Sequence, residues 1–218
     1  MQRFARWHIW LGWAAAIPLL LWTISGLFMT LRPIEQVRGE QLRRAPALLQ
    51  TANLAAPRLA SPVKRLALAE QHGVSVWLAT DSAGNQARYA GDGLPIPPVG
   101  EAEAEELAVA AYAGKAALQT ITHFSADAAP LDLRKDRPSW QAAFADGTHI
   151  YIDADTGEVL ALRTGYWRAY DFMWGLHIMD PLGRENTSHA LLWIFSVIAL
   201  ISSLLGSTLL FRRRKAAR

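Results

Sequence analysis

The sequence predicts a membrane α-helical protein, with two transmembrane helices and an α+β domain inserted between them outside the cytoplasm. Three observations predict it. The runs Trp7–Leu31 and Asn186–Phe211 contain no Asp, Glu, Lys or Arg. As helix, with a rise of about 1.5 Å per residue, each is long enough to cross roughly 30 Å of bilayer hydrocarbon. Residues 32–185 hold all 19 acidic residues and 15 of the 22 basic ones, whereas the two ends carry only basic charge.

Residues 1–31 form the first predicted span. Its apolar stretch is too long for the core of a cleaved signal, and no Ala-x-Ala site follows it. Trp7, Trp10 and Trp13 mark one end as an interfacial aromatic belt. Residues 32–62 are rich in Ala, Arg, Leu and Pro without a clean period, and read as a linker or short helix.

Residues 63–165 read as the α+β domain. Val74–Ala79 alternates as a strand, Asp81–Asn85 has turn chemistry, and Gln86–Ala90 returns as a second strand. Leu94–Pro98 is an extended connection. Glu101–Gly114 is a helix with acids in its first turns, where the helix dipole favours them, and a terminal glycine. Ser139–Ala145 and Thr148–Asp153 pair across Asp146-Gly147, and Asp155-Thr-Gly157 turns the chain into Glu158–Leu162.

Residues 166–185 follow as an interfacial amphipathic helix and a turn, with Trp167, Tyr170, Trp174 and His177 on one face before Pro181. The second span is 186–211, closed by the basic tail 212–218. The five basic residues of that tail place it in the cytoplasm, and Arg3 and Arg6 agree for the other end. Arg32, Arg38, Arg43 and Arg44 argue the opposite way, but long loops translocate largely regardless of charge. Both termini are therefore expected in the cytoplasm and the middle outside. The net charge of +3 comes from these membrane-flanking ends, so it reads as topology and no nucleic-acid partner is expected.

The chain has no cysteine. That excludes disulfides, iron–sulfur clusters, thiolate zinc sites and covalent c-type haem attachment. Any metal or cofactor must be held by histidine, carboxylate, methionine or backbone groups. No nucleophile–base motif, Gly-rich phosphate loop or His-Glu-x-x-His occurs, which disfavours hydrolase and nucleotide-enzyme readings.

The stretch PSWQAAFADGTHIYIDADTGEVLAL, with its Asp-x-x-Thr-Gly-Glu-Val turn, resembles a PepSY domain. Flanked by HIWLGW…SGLF and by YDFMWGLHIMD…SHALLWIFSVIALISSLLG, it is similar over nearly the whole chain to the PepSY-associated transmembrane family of bacterial inner-membrane proteins. The resemblance implies a multi-pass inner-membrane protein with a periplasmic middle. Larger relatives have four spans and include haem-containing reductases of iron–siderophore complexes. A two-span chain needs a homodimer or a larger membrane partner to build such a core.

Six histidines are candidates for chemistry. His72 reads as surface and His123 as part of a linker. His149 alternates with Tyr151 and Asp153 and has Asp146 nearby, which suits a solvated sheet face better than a metal site. His8, His177 and His189 stand at the membrane entrances, where ionisable groups are costly and mark function. Each alone reads as an interfacial polar anchor. Together, without cysteines, they point to haem b ligated through the iron. Small residues flank two of them: Gly12, Ala15, Leu19, Trp22 and Gly26 follow His8 at helical spacing, and Trp193, Ser196, Ser203 and Gly206 follow His189.

One iron with two axial imidazoles brings the ligand nitrogens to roughly 4 Å apart. His8 and His189 lie at opposite membrane faces, on the order of 30 Å apart, and cannot share a haem. His177 and His189 can meet across Pro181-Leu-Gly183, giving an outer haem. His8 would pair with its counterpart in a second copy, giving an inner one.

The expectation is an inner-membrane haem-b electron-transfer protein in contact with membrane lipid. By resemblance its oxidant is a periplasmic ferric siderophore, with haem-dependent ferric reductase as the enzyme activity. The competing expectation is a haem-free anchored domain that binds or regulates a protease, peptide or larger membrane partner.

Overall fold

The computed structural model describes residues 2–216, with side chains described over 3–211. The side chains of the predicted basic tail, 212–218, lie outside the described residues. The chain divides into two units, 1–33 with 169–218, and 34–168.

The first unit is a helical hairpin. Helices α1 (Gln2–Met29) and α5 (Ala190–Ala216) are apolar enough to cross a membrane over Arg3–Met29 and Ala190–Phe211. They run antiparallel: His8 near the start of α1 bonds Ser202 midway along α5, while Ser25 near the end of α1 bonds His177, whose neighbour Ile178 bonds His189 just before α5 begins. The inward residues of α1 are His8, Leu11, Ala15, Pro18, Trp22 and Ser25, and those of α5 are Leu192, Phe195, Ala199, Ser202, Gly206 and Leu209. Both stripes step by alternating threes and fours, the spacing of knobs-into-holes packing. Ala15 and Ser25 are at most 1% exposed and Ser202 6%, so small residues let the backbones approach. Trp7, Trp10, Trp13, Ile17, Leu200, Leu204 and Phe211 face outward, as lipid-facing positions must.

Two expectations about this hairpin change. The inner stripe of α5 runs through Leu192, Phe195, Ala199 and Ser202; Trp193 is 66% exposed, and Ser196 and Ser203 are exposed as well. His189 precedes the helix, so stepping from it picks the neighbouring stripe; only Gly206 was assigned to the right side. Likewise Pro18 takes the inward place expected of Leu19, which is 40% exposed. A proline is tolerated there because neighbouring groups can compensate for its missing donor within a membrane helix.

Helix α4 (Gly165–His177) contributes Gly165–Arg168 to the second unit and the rest to the first. Beyond it, the loop to α5 is ordered by Asp180. Its carboxylate accepts the backbone N–H groups of Gly183, Glu185 and Asn186, each at 3.1 Å. Those donors, Asn186 first, hold the Asp180 carboxyl below its usual range. Asp171 of α4 is buried and pairs with Arg184 at 2.8 Å.

The second unit contains a short helix, α2 (Ile34–Val37), and two four-stranded antiparallel sheets, each in sequential order. The first sheet comprises β1 (Val63–Gln71), β2 (Val74–Asp81), β3 (Gln86–Ala90) and β4 (Pro95–Ile96). The second comprises β5 (Leu118–Phe124), β6 (Ser139–Phe144), β7 (His149–Asp153) and β8 (Val159–Arg163). Helix α3 (Glu101–Ala111) buries Ala104, Leu107 and Ala108 against Ala142, Phe144, Ile150, Ile152 and Leu162 of the second sheet.

Strand β1 was not anticipated, and His123 lies on β5 where a linker was expected. Both strands are sheet edges. Edge strands carry exposed polar residues, such as Lys64, Arg65 and Gln119, which blur the alternation that reveals a half-buried strand. His72 and Gly73 form the turn between β1 and β2, with φ of 53° and 79°. Two successive left-handed residues match the twist of a tight hairpin.

The turn after β7 was legible. Asp153, fully buried, accepts the N–H of Asp155 at 3.0 Å and of Thr156 at 2.9 Å, and pairs with Arg137 at 2.7 Å. Arg137 also donates to Gln86 at 2.6 Å, and Gln71 donates to the Thr156 carbonyl at 2.6 Å, so this turn ties the two sheets together. Removing one partner of such a buried ion pair strands the other charge, at about 3–5 kcal/mol.

Candidate functional site

The candidate residues of the hairpin unit are its histidines, and each is defined by what its two ring nitrogens touch. A neutral imidazole has one N–H and one lone pair, and the partner of one nitrogen decides what the other can do.

His8, on the inner face of α1, places Nδ1 at 3.0 Å from the Ser202 carbonyl oxygen of α5. A carbonyl only accepts, so Nδ1 carries the proton. Nε2 makes no hydrogen bond among the described residues and carries the lone pair. The ring lies against Gly206: a Cβ there would stand 2.8 Å from Cε1.

His177, the last residue of α4, places Nδ1 at 2.9 Å from the Ser25 hydroxyl of α1. Ser25 donates its only proton to the Leu21 carbonyl, at 2.5 Å. The hydroxyl therefore accepts from His177 Nδ1–H, and Nε2 is again left with the lone pair. Gly26 flanks the ring at a looser 3.6 Å from an ideal Cβ to Cε1. Trp174, one turn earlier, lies nearly parallel to the imidazole, with centroids 6.5 Å apart and planes at 18°. Among the described residues no hydrogen bond reaches either Nε2.

His189 is arranged the other way round. Its Nε2 lies 2.8 Å from the Ile178 carbonyl, so the proton is on Nε2. Its Nδ1 accepts the Leu192 N–H at 3.4 Å, which caps the start of α5. Both nitrogens are engaged, one to a carbonyl beside His177 and one to its own helix. Binding a metal would require breaking one of these bonds.

Along α1, His8 and the Ser25 that receives His177 are separated by about 25 Å of helix. The two open nitrogens therefore belong to two levels of the hairpin. Sequence reasoning named these three histidines, Gly26 and Gly206 as candidates, but passed over Ser25 and Ser202. The available signal was a serine in the inward stripe of each span, where its polar groups face the other helix.

The second unit gathers its own titratable cluster on the sheet face away from α3. His149 Nδ1 lies 3.7 Å from Asp132, whose carboxylate also pairs with Arg168 at 3.3 Å. Arg168 donates to the Gly147 carbonyl. Burial, and then the Arg168 charge, pull the His149 imidazole below its ordinary range. Beside it Tyr151 is fully buried, and its phenol is pushed up to about 12 chiefly by burial. Asp146 is held elsewhere, by the Tyr112 hydroxyl at 2.5 Å and the Thr148 N–H at 2.9 Å. No group of three or more metal-ligating side chains occurs among the described residues. His72 lies 3.9 Å from Glu106, and His123 packs edge-on to Trp140.

A family model described as the PepSY-associated TM region matches residues 5–218. No curated protein and no solved structure matches the chain.

Proposed function

The chain belongs to the PepSY-associated TM family, and on that premise we propose that it is a b-type haem electron-transfer protein of the bacterial inner membrane. In this reading it serves a ferric complex on the periplasmic side, such as a ferric siderophore, with both termini cytoplasmic and the middle domain outside. One observation carries the reading: His8 and His177 are each held at Nδ1 by an oxygen of the facing helix while Nε2 keeps its lone pair. That is the form in which imidazole binds a metal, with the second nitrogen donating to an orienting acceptor. The donor set fits haem b, because imidazole is available and thiolate is not.

The residues that would hold haem are His8 at one level and His177 at the other. His189, engaged at both nitrogens, is assigned instead to capping α5 and anchoring the loop. The same two residues of a second copy would complete the donor set at each level, so a homodimer would be the functional form. Bound there, haem would supply one-electron oxidation and reduction, tuned by its ligands and burial. The chain's own contribution is to fix two imidazoles, exclude water with an apolar helix pair, and separate the two levels along α1.

The test is reduced-minus-oxidised absorption of the full chain purified in detergent from haem-replete cells. Soret and α-band changes are expected. Their absence overturns the reading.

A cleft of about 600 Å³ in the second unit favours a different function. Its lining includes Arg43, Glu70, His72, Leu107 and Glu158, so both signs of charge border an apolar floor. That lining suits an extended peptide, in a haem-free anchor that binds or regulates a protease or membrane partner. A haem-free spectrum together with peptide binding to the full chain is what this second reading expects.

A further inference from the structure

We propose that Ser25 and the Ser202–Gly206 turn of α5 are positioning groups that fix His177 and His8 as Nδ1–H tautomers. For what the exposed lone pair serves, this rests on the haem reading; the tautomers themselves belong to the protein without any cofactor.

The socket for His8 follows from helix geometry. Within α5 the Ser202 carbonyl already accepts the N–H four residues on, at Gly206. Its second lone pair is normally shielded by the side chain of that residue. Glycine removes the shield, and the imidazole fills the space: any Cβ at 206 would stand 2.8 Å from Cε1 and 3.3 Å from Nε2. The Ser202 hydroxyl, 3.4 Å from Nδ1, adds a second oxygen on the same side. The carbonyl, at 3.0 Å, can only accept, so Nδ1 keeps the proton.

His177 reaches the same state by another route. Ser25 is 1% exposed, and its proton is already committed to the Leu21 carbonyl. A serine bonded in this way needs no further partner to satisfy its donor, so its remaining lone pairs face His177 as a pure acceptor. Hence one socket is built from a backbone oxygen bared by glycine, and the other from a side-chain hydroxyl. His189 supplies the internal contrast, since its carbonyl partner sits on Nε2.

The experiment is nitrogen NMR of the full chain, labelled with 15N-histidine, in detergent micelles before haem is added. Signals are assigned with His8→Gln and His177→Gln. In the wild type, His8 and His177 should show an unprotonated Nε2, and His189 a protonated one. Ser25→Ala should move His177 to a mixture of tautomers without affecting His8, and Ser25→Thr should restore it. Gly206→Ala should displace His8 alone, whereas Gly26→Ala should leave both signals in place. If Gly206→Ala does not fold, the wild-type His8 signal still decides that socket. In the haem-loaded protein, Ser25→Ala should shift the midpoint potential of one centre only. A protonated Nε2 on either residue in the wild type overturns the proposal for that residue, and an unchanged His177 in Ser25→Ala overturns the role of Ser25. Tautomers as expected in a protein that takes up no haem would uphold the positioning assignment and remove the haem reading.

Discussion

His177 and His189 bracket one loop, and the protein uses them in opposite senses. His177 is gripped at Nδ1 by Ser25 and keeps Nε2 open, whereas His189 is gripped at Nε2 by the Ile178 carbonyl and uses Nδ1 to cap α5. In sequence they look alike, both standing just before or at the start of the second charge-free run. What separates them is the identity and placement of the acceptor, which sets the tautomer and with it the chemistry. His8 sides with His177, through a backbone oxygen on the other helix. Position beside an apolar helix therefore does not set which nitrogen is left open; the partner of the other nitrogen does.

The largest effect that would sharpen this contrast is on haem content. His8→Ala and His177→Ala should each halve the haem absorbance per chain, and the double variant should abolish it. Loss of both centres on either single substitution would break the two-level assignment.

A smaller effect separates the two sockets. Gly206→Ala forces a methyl against the His8 ring and should destabilise the hairpin by about 1–3 kcal/mol, as overpacking does. Gly26→Ala has room, at 3.6 Å from His177 Cε1, and should be neutral or stabilising by up to about 1 kcal/mol through helix propensity. Denaturant titration in mixed micelles measures both. Equal effects would mean that the sockets are not built differently.

Next in size is the cap. His189→Ala should cost about 1 kcal/mol, and His189→Asn should recover most of it, since asparagine caps helix starts well. The same titration reads this out.

The smallest effect lies in the other unit, at His149. Its folded pKa is depressed by burial and by Arg168, so below the ordinary value of 6.5 the unfolded chain binds a proton that the folded one refuses. Stability is thus unaffected above that value and falls as pH drops through it toward the depressed folded value. His149→Gln should flatten this acid slope while leaving stability at pH 8 unchanged, as followed by thermal melts across pH.

Much of the architecture was legible in the sequence because charge-free runs and turn chemistry are local. The two spans, α3, and the strands around Asp146-Gly147 and Asp153–Glu158 all follow from them. Strands β1 and β5 were not legible, because edge strands such as VKRLALAEQ and LQTITHF carry polar side chains on both faces. The start of α5 was misplaced because Asn186–His189 carries no charge, yet it is held as loop by Asp180. At the candidate site, the histidines could be picked by residue type and depth. Their roles could not, since Ser25, Ser202 and the Ile178 carbonyl lie 152, 194 and 11 residues from the rings they hold. Contacts over such separations depend on helix phase, and one step of error moves a whole stripe to the lipid side.

The most direct test of the central claim is the haem content of His177→Ala and His189→Ala, purified side by side from haem-replete cells. The account predicts that His177→Ala keeps half of the wild-type haem per chain and His189→Ala keeps all of it. Equal loss in the two variants would contradict it.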